Sequence, residues 1–218
     1  MNKVTFLFGA GASMNALPIV NQIPQRIVEL IEYLEQDIFI LENDKTFNKC
    51  GSKTRRDFQL EMIESLKWMQ DKSKNHASID TFAKKLYLKG ESDDLRKLKI
   101  AMSIFFIAEQ AGKKTDARYD SFFASILKDH AQDFPDNIRI LSWNYDYQFE
   151  LSYAEYSNTY DIQRNQRSLM ISQQNDHREN WNGFRIIKLN GTTGLINNNN
   201  LSKIHLYVQD LQRSRLDF

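Results

Sequence analysis

Three short runs carry the chemistry available to this chain: Gly9-Ala10-Gly11-Ala12-Ser13, Ser142-Trp143-Asn144-Tyr145-Asp146 and Lys188-Leu189-Asn190-Gly191. The first follows an apolar run, Val4 to Phe8, as a glycine-rich phosphate loop follows a buried parallel strand. Gly9 allows a tight turn, Gly11 lets the backbone approach a pyrophosphate, and the amides of residues 11 to 14 would face the anion as a helix begins. Met14 stands where the dinucleotide fingerprint has its third glycine, so a plain strand-to-helix turn accounts for this run equally well. In the second run the Asp146 carboxylate can grip hydroxyls or face a developing positive charge, and the Asn144 amide can orient water. The same two residues suit the N-terminus of a helix beginning near Tyr147. Asn190 offers an amide, which does not accept a proton near neutral pH. Asn190-Gly191 is also an ordinary turn signal.

The elements that must position these runs are legible as hydrophobic periodicity. Val4 to Phe8, Asn137 to Ser142 and Phe184 to Leu189 read as strands, with Ile204 to Val208 as a last short one. Helical spacing marks residues 25 to 40, with Ile27, Leu30, Ile31 and Leu34 on one face. It marks Arg55 to Gln70 through Phe58, Met62, Ile63, Leu66 and Met69, and a helix capped by Ser78 or Asp80 that runs through Phe82 and Leu86. Leu95 to Gln110, Tyr119 to Ala131 and Tyr147 to Tyr156 complete the set. Residues 157 to 183 are polar and read as a long surface segment, and Asn197 to Asn200 as a solvated loop tip.

Strands followed by helices predict an α/β fold with a Rossmann-like, mainly parallel sheet and flanking helices. The helices are too many for one crossover. A single domain over 1–218 with a helical insertion at 43–112 is therefore expected. The three runs then fall at strand C-termini, the edge where open α/β sheets bind ligands.

Composition narrows the function classes. Lys plus Arg is 29 and Asp plus Glu is 28, so no bulk charge favours nucleic acid or an anionic membrane. The single cysteine, Cys50, excludes a disulfide framework and any multi-cysteine zinc module, and no metal site is expected. No apolar run reaches membrane-spanning length and the first residues show no signal-peptide pattern, so a cytoplasmic protein is expected. The four histidines (His76, His130, His177 and His205) read as exposed or locally bonded side chains.

In order and spacing, GAGAS, SWNYD and KLNG resemble the motifs of the sirtuin superfamily, and most closely its bacterial branch of defence-type NAD-hydrolysing domains. Gly9, Ala10, Gly11, Ala12 and Ser13 are similar to the family's phosphate-binding GAGxS. Asn144 and Asp146 match the Asn and Asp of its T-x-N-x-D strand end. Lys188 to Gly191 stand where the family has x-L-H-G, with Asn190 in place of the catalytic histidine and Gly191 in the loop that closes on the cofactor. The start of the helix at Ser78 to Phe82 is similar to a segment of the defence branch.

The resemblance implies NAD as substrate or ligand, Asn144, Asp146 and Asn190 at the reacting end, and no metal. It also implies a homo-oligomer or a partner defence protein. Nicotinamide leaves NAD as a neutral group, so the transition state resembles an oxocarbenium ion, and ribose positioning, charge stabilisation and a placed water carry most of the catalysis. An NAD hydrolase giving nicotinamide and ADP-ribose is the reading favoured, with anti-phage defence as its setting. A catalytically inactive module that senses NAD or ADP-ribose is the alternative that Asn190 raises. A nicotinamide-dependent oxidoreductase ranks lower, because residues 25 to 40 read as helix where a second strand with a terminal acid is required. Protein deacylation ranks lower as well, since the four-cysteine module of the deacylases has no counterpart.

Overall fold

The computed structural model describes residues 2–36, 54–111, 114–173 and 183–193. In chain order the elements are β1 (Val4–Phe8), a 3-10 turn (Ala10–Ser13), α1 (Ile23–Leu34), α2 (Arg55–Ser73), α3 (Ile79–Lys89), α4 (Ser92–Ala111) and α5 (Ala117–Ile126). β2 (Ile138–Ser142), α6 (Gln148–Ser157), α7 (Ile162–Ser168), β3 (Ile171–Gln173) and β4 (Arg185–Lys188) follow. The chain divides into two compact units. One joins Met1–Leu17 to Lys113–Thr193, and the other joins Pro18–Gly112 to Gly194–Phe218.

The first unit is the α/β fold. Its four strands run parallel in the order β1-β2-β4-β3. Phe8 pairs with Ser142 and Ser142 with Lys188, so β1, β2 and β4 end level with one another. Alternation sends Ile140 and Ile186 into a core shared with Tyr119, Phe123 and Ile126 of α5 and Phe149 and Tyr153 of α6. Phe149 is the hinge of an aromatic cluster: its ring centroid lies 4.9 Å from Phe8, 4.7 Å from Tyr119 and 6.2 Å from Phe123. Edge-to-face contacts of this kind add to the area each ring buries.

The described residues of the second unit are helical. α1 carries its apolar stripe (Ile27, Leu30, Ile31, Leu34) inward, with Pro24 in its first turn. Thr54 and Asp57 form a capping box for α2, Ser78 accepts from the Thr81 amide at the start of α3, and Gly90 ends α3 in the left-handed region. Of the two candidate caps for α3, Ser78 is the one used. Arg26 of α1 reaches the buried Glu109 of α4 at 2.8 Å. The insertion expected at 43–112 compares with a unit that begins at Pro18 and so includes α1.

Two expectations are corrected. Residues 157–183 are not only a surface segment, because α7 and β3 form within them and β3 pairs with β4. Polar side chains turn inward there: Asn165 gives its amide to the Glu150 and Thr159 carbonyls, and Gln166 gives its amide to the Glu150 carboxylate. Hydrogen bonding rather than apolar burial holds α7, so hydrophobic periodicity does not reveal it. β1 is parallel but not buried. Among the described residues it is an edge strand, and Leu7 is 65% exposed. Ile204 to Val208, the 197–200 loop and Cys50 lie outside the described residues. Among those described, no helix is long and apolar enough to cross a membrane.

Phe149 gives a direct test of this core. Truncation to alanine removes a ring that meets β1, α5 and its own helix, so Phe149→Ala should destabilise the α/β unit by about 3–5 kcal/mol, and Phe149→Leu by less. Urea denaturation followed by near-UV circular dichroism checks both values.

Candidate functional site

Because β1, β2 and β4 are parallel and end in register, the chain leaves all three at the same sheet edge. The loops after them are tied by main-chain bonds. The Trp143 amide donates to the Phe8 carbonyl at 2.9 Å, the Leu189 amide to Ser142 at 2.8 Å, and the Thr193 amide to Tyr145 at 2.8 Å.

The glycine loop differs from expectation in one respect. No α-helix begins at its end; Gly9 is extended and residues Ala10 to Ser13 make a single 3-10 turn closed by the Ala12 amide on the Gly9 carbonyl. Residues 9 to 11 are exposed, whereas Ser13 is buried. A Cβ built on Gly9 or Gly11 meets nothing within 4 Å, and neither residue has a positive φ. Among the described residues, nothing therefore demands glycine at these two positions. Gly191 is different, since its φ of 87° makes it a conformational requirement of the turn after β4.

Beneath the loop, four side chains from three segments form one buried network. The Ser13 hydroxyl donates to Asp146 Oδ2 at 2.7 Å and lies 2.8 Å from the Tyr119 hydroxyl. Asn144 Nδ2 donates to Ser13 Oγ at 3.1 Å and to the Tyr119 oxygen at 3.2 Å. Asp146 Oδ1 accepts from the Gln148 amide at 3.1 Å, so this carboxylate also anchors the first turn of α6. The cap role and the site role of Asp146 are thus filled by its two oxygens separately. Burial, reinforced by the nearby Asp146 charge, holds the Tyr119 hydroxyl well above the ordinary phenol range, so it remains a proton donor.

A second carboxylate holds the loop from the other side of Met14. Asp116 Oδ2 accepts from the Asn15 amide at 3.1 Å, and its own amide donates to Gln148 Oε1 at 2.8 Å. The Arg118 side chain bonds both carboxylate oxygens, which holds the Asp116 carboxyl well below the usual carboxylate range.

The 190 loop grips the backbone of the 143–146 loop. Asn190 Nδ2 donates to the Trp143 carbonyl at 3.1 Å, Thr193 Oγ1 to Tyr145 at 2.9 Å, and Lys188 Nζ to Asp146. Lys188 is fully buried and also meets Glu150 Oε2 at 3.3 Å, while Asn190 is exposed. The structure therefore brings Asn144, Asp146 and Ser13 into one cluster and sets Asn190 on the rim, bonded to the main chain beside Asn144.

His76 belongs to the helical unit, where it stacks on Phe82 with a centroid distance of 4.7 Å, and His130 precedes β2 at the opposite end of that strand. His177 and His205 lie outside the described residues. Among the described residues, no group of three or more His, Cys, Asp or Glu could hold a metal ion. Sequence reasoning passed over Tyr119, Asp116 and Lys188. Lys188 did leave a signal, since it shares the inward alternation of Ile186 at the end of an apolar strand.

The α/β class with a polar cluster under the C-terminal sheet edge is what fold and site together define. No protein-family model, curated protein or solved structure matches the chain.

Asp116 yields a prediction with a sign. Its folded-state carboxyl is held below the ordinary value of 3.8, so its contribution is fully present above that value and is lost as pH falls through the acid range. Asp116→Asn keeps an oxygen that can cap α5 but loses the charge-assisted bonds to Arg118, so it should cost about 1–2 kcal/mol at pH 7, with a shrinking penalty below about pH 4. Paired denaturation curves at pH 7, 5 and 3 measure it, and a penalty independent of pH would rule out the charge as its source.

Proposed function

We propose that the α/β unit binds NAD across the three loops and cleaves it to nicotinamide and ADP-ribose, as a diverged sirtuin-like NAD hydrolase. The observation that carries this reading is the pair of glycines at 9 and 11. Each has no described atom within 4 Å of where a side chain would be, which leaves a ligand room to approach the backbone closely. A pyrophosphate fits such a loop. The order of the loops along one edge, with Asn144 and Asp146 behind the first, adds to it.

In this reading Gly9 to Ala12 hold the pyrophosphate and Ser13 serves from below by fixing Asp146. The Asp146 charge favours the oxocarbenium character of the ribose as nicotinamide departs, and Asn144 holds a ribose hydroxyl or the attacking water. Asn190, with Gly191, shapes the rim near the ribose. As an amide, Asn190 does not take the proton of the attacking water. A bacterial anti-phage setting, a cytoplasmic location and assembly with further copies or a partner belong to the same resemblance.

One observation favours a second reading, a module that binds NAD or ADP-ribose without turnover. Position 190 carries an amide, and His130, the described histidine of this unit, precedes β2. The two readings separate in a time course of NAD with purified protein, followed by chromatography of nicotinamide and ADP-ribose. The hydrolase reading expects release by the wild-type chain and none by Asn144→Ala/Asp146→Ala. The binding reading expects silence from the wild type and release by Asn190→His, since a general base is worth about 10²–10⁴-fold.

Gly11→Ala tests the cradle itself. Its Cβ meets no protein atom within 4 Å, so folding should be unchanged or stabilised by a few tenths of a kcal/mol. NAD affinity by calorimetry should fall by about tenfold or more, a change of about 1.4 kcal/mol. Wild-type affinity in this variant would remove the loop from the ligand site.

A further inference from the structure

The protons of the buried cluster can be placed one by one, because the Asp146 carboxylate only accepts. Ser13 has a single hydroxyl hydrogen, and at 2.7 Å from Asp146 Oδ2 that hydrogen is committed to the carboxylate. The Tyr119 hydroxyl, 2.8 Å from Ser13 Oγ, must then donate to Ser13 rather than accept from it. Ser13 Oγ and the Tyr119 oxygen have room left to accept, and both face Asn144 Nδ2, at 3.1 and 3.2 Å. Those two acceptors are only 2.8 Å apart, so an amide hydrogen of Asn144 is shared between them and Nδ2 is turned towards the cluster. The reverse orientation of the amide would set its carbonyl oxygen against Ser13 Oγ, which has no second hydrogen to give, and a Tyr119 hydrogen turned to that carbonyl would leave the Ser13 and Tyr119 oxygens 2.8 Å apart with no hydrogen between them.

We propose that Tyr119 is a positioning residue: together with Ser13 it locks the Asn144 amide with Nδ2 on the cluster, so that Oδ1, an acceptor, is the atom turned away from it towards a ligand. The chemical class that Oδ1 recognises is then the hydrogen of a hydroxyl or a water. For a ribose this means that Asn144 accepts from a hydroxyl, or from the attacking water, whose oxygen it makes more electron-rich as the bond to carbon forms. A phenol suits the task because its raised pKa keeps the hydroxyl protonated and its ring, fully buried between Phe8 and Phe149, cannot swing away. Phenylalanine would pack as well and would hold nothing.

The lock is independent of the identity of the ligand, but its effect on turnover rests on the NAD-hydrolase reading, and the test separates the two. The side-chain amide pair of Asn144, assigned in 15N–1H spectra by its loss in Asn144→Asp, reports the lock directly. In the wild-type protein its hydrogens should exchange at least about tenfold more slowly than those of the exposed Asn190, and Tyr119→Phe should abolish most of that protection and shift the pair. In turnover, Tyr119→Phe should lower kcat by about tenfold with KM within twofold of wild type.

Fast exchange in the wild type, or an Asn144 pair unmoved in a folded Tyr119→Phe, overturns the positioning role whether or not NAD is cleaved. A pair that loses protection in Tyr119→Phe while the wild type neither binds nor cleaves NAD upholds the lock and removes the NAD reading. An equal fall in kcat and thermal stability that Ser13→Ala reproduces without any change in the amide pair would mark Tyr119 as a packing residue only. The wild-type exchange rate alone keeps the inference falsifiable if either variant fails to fold.

Discussion

The α/β unit is organised around a buried negative charge. Asp146 is 3% exposed, and a carboxylate withdrawn from water must have its lone pairs filled. One oxygen takes the first turn of α6 through the Gln148 amide, and the other takes Ser13. That second bond commits the only hydrogen of Ser13, which dictates the direction of Tyr119 and Asn144 in turn. A single charge therefore ties the loop after β1, the helix α5 and the loop after β2 to one arrangement. Asp116 does the same on the far side of Met14 by taking the Asn15 amide. With Ser13 and Asn15 both anchored, the residue between them has nowhere to go but outward, and Met14 is 55% exposed.

The third loop contributes mainly through backbone carbonyls. Trp143, Tyr145 and Asp146 each present a carbonyl to a donor from residues 188–193, so the 143–146 segment is held along its length and not only at its ends. Lys188 is the most demanding of these donors. Burying an ammonium costs several kcal/mol unless a partner and hydrogen bonds offset it, and Glu150 with the Asp146 carbonyl supplies both. Gln166 satisfies the remaining Glu150 oxygen. Asn190, as a donor to the Trp143 carbonyl, has a structural use that requires an N–H and no basicity. Its amide is thus accounted for by the geometry, whatever chemistry takes place above it.

How far the sequence reveals this arrangement depends on the kind of force involved. Apolar periodicity locates three strands and most helix faces, because burial of Ile140, Ile186, Phe123 or Leu30 leaves a regular trace. The same trace does not distinguish a central strand from an edge one, so β1 reads as buried while Leu7 faces out. It misses α7 altogether, since Asn165 and Gln166 are buried by hydrogen bonds to residues six or more positions away. Ser13 belongs to a recognisable loop, but whether its hydroxyl faces a ligand or Asp146, 133 residues later, is decided only by packing. Tyr119 is legible as core and illegible as a donor, because its ring and its hydroxyl answer to different partners.

The division between exposed backbone and buried side chains bears on how such an edge can work. Residues 9 to 11 are exposed and two of them carry no side chain, which suits contact with a charged, conformationally fixed group. The polar cluster under them is buried, with the hydroxyl hydrogens of Ser13 and Tyr119 assigned and Asn144 Nδ2 turned towards both oxygens. A filled network in a low-dielectric setting has one preferred state, whereas a half-filled one has several of similar energy. Precision at Asn144 therefore does not depend on a ligand arriving to order it. It depends on Asp146 remaining charged, because only a carboxylate that cannot donate forces Ser13, then Tyr119, then the amide into a single sense.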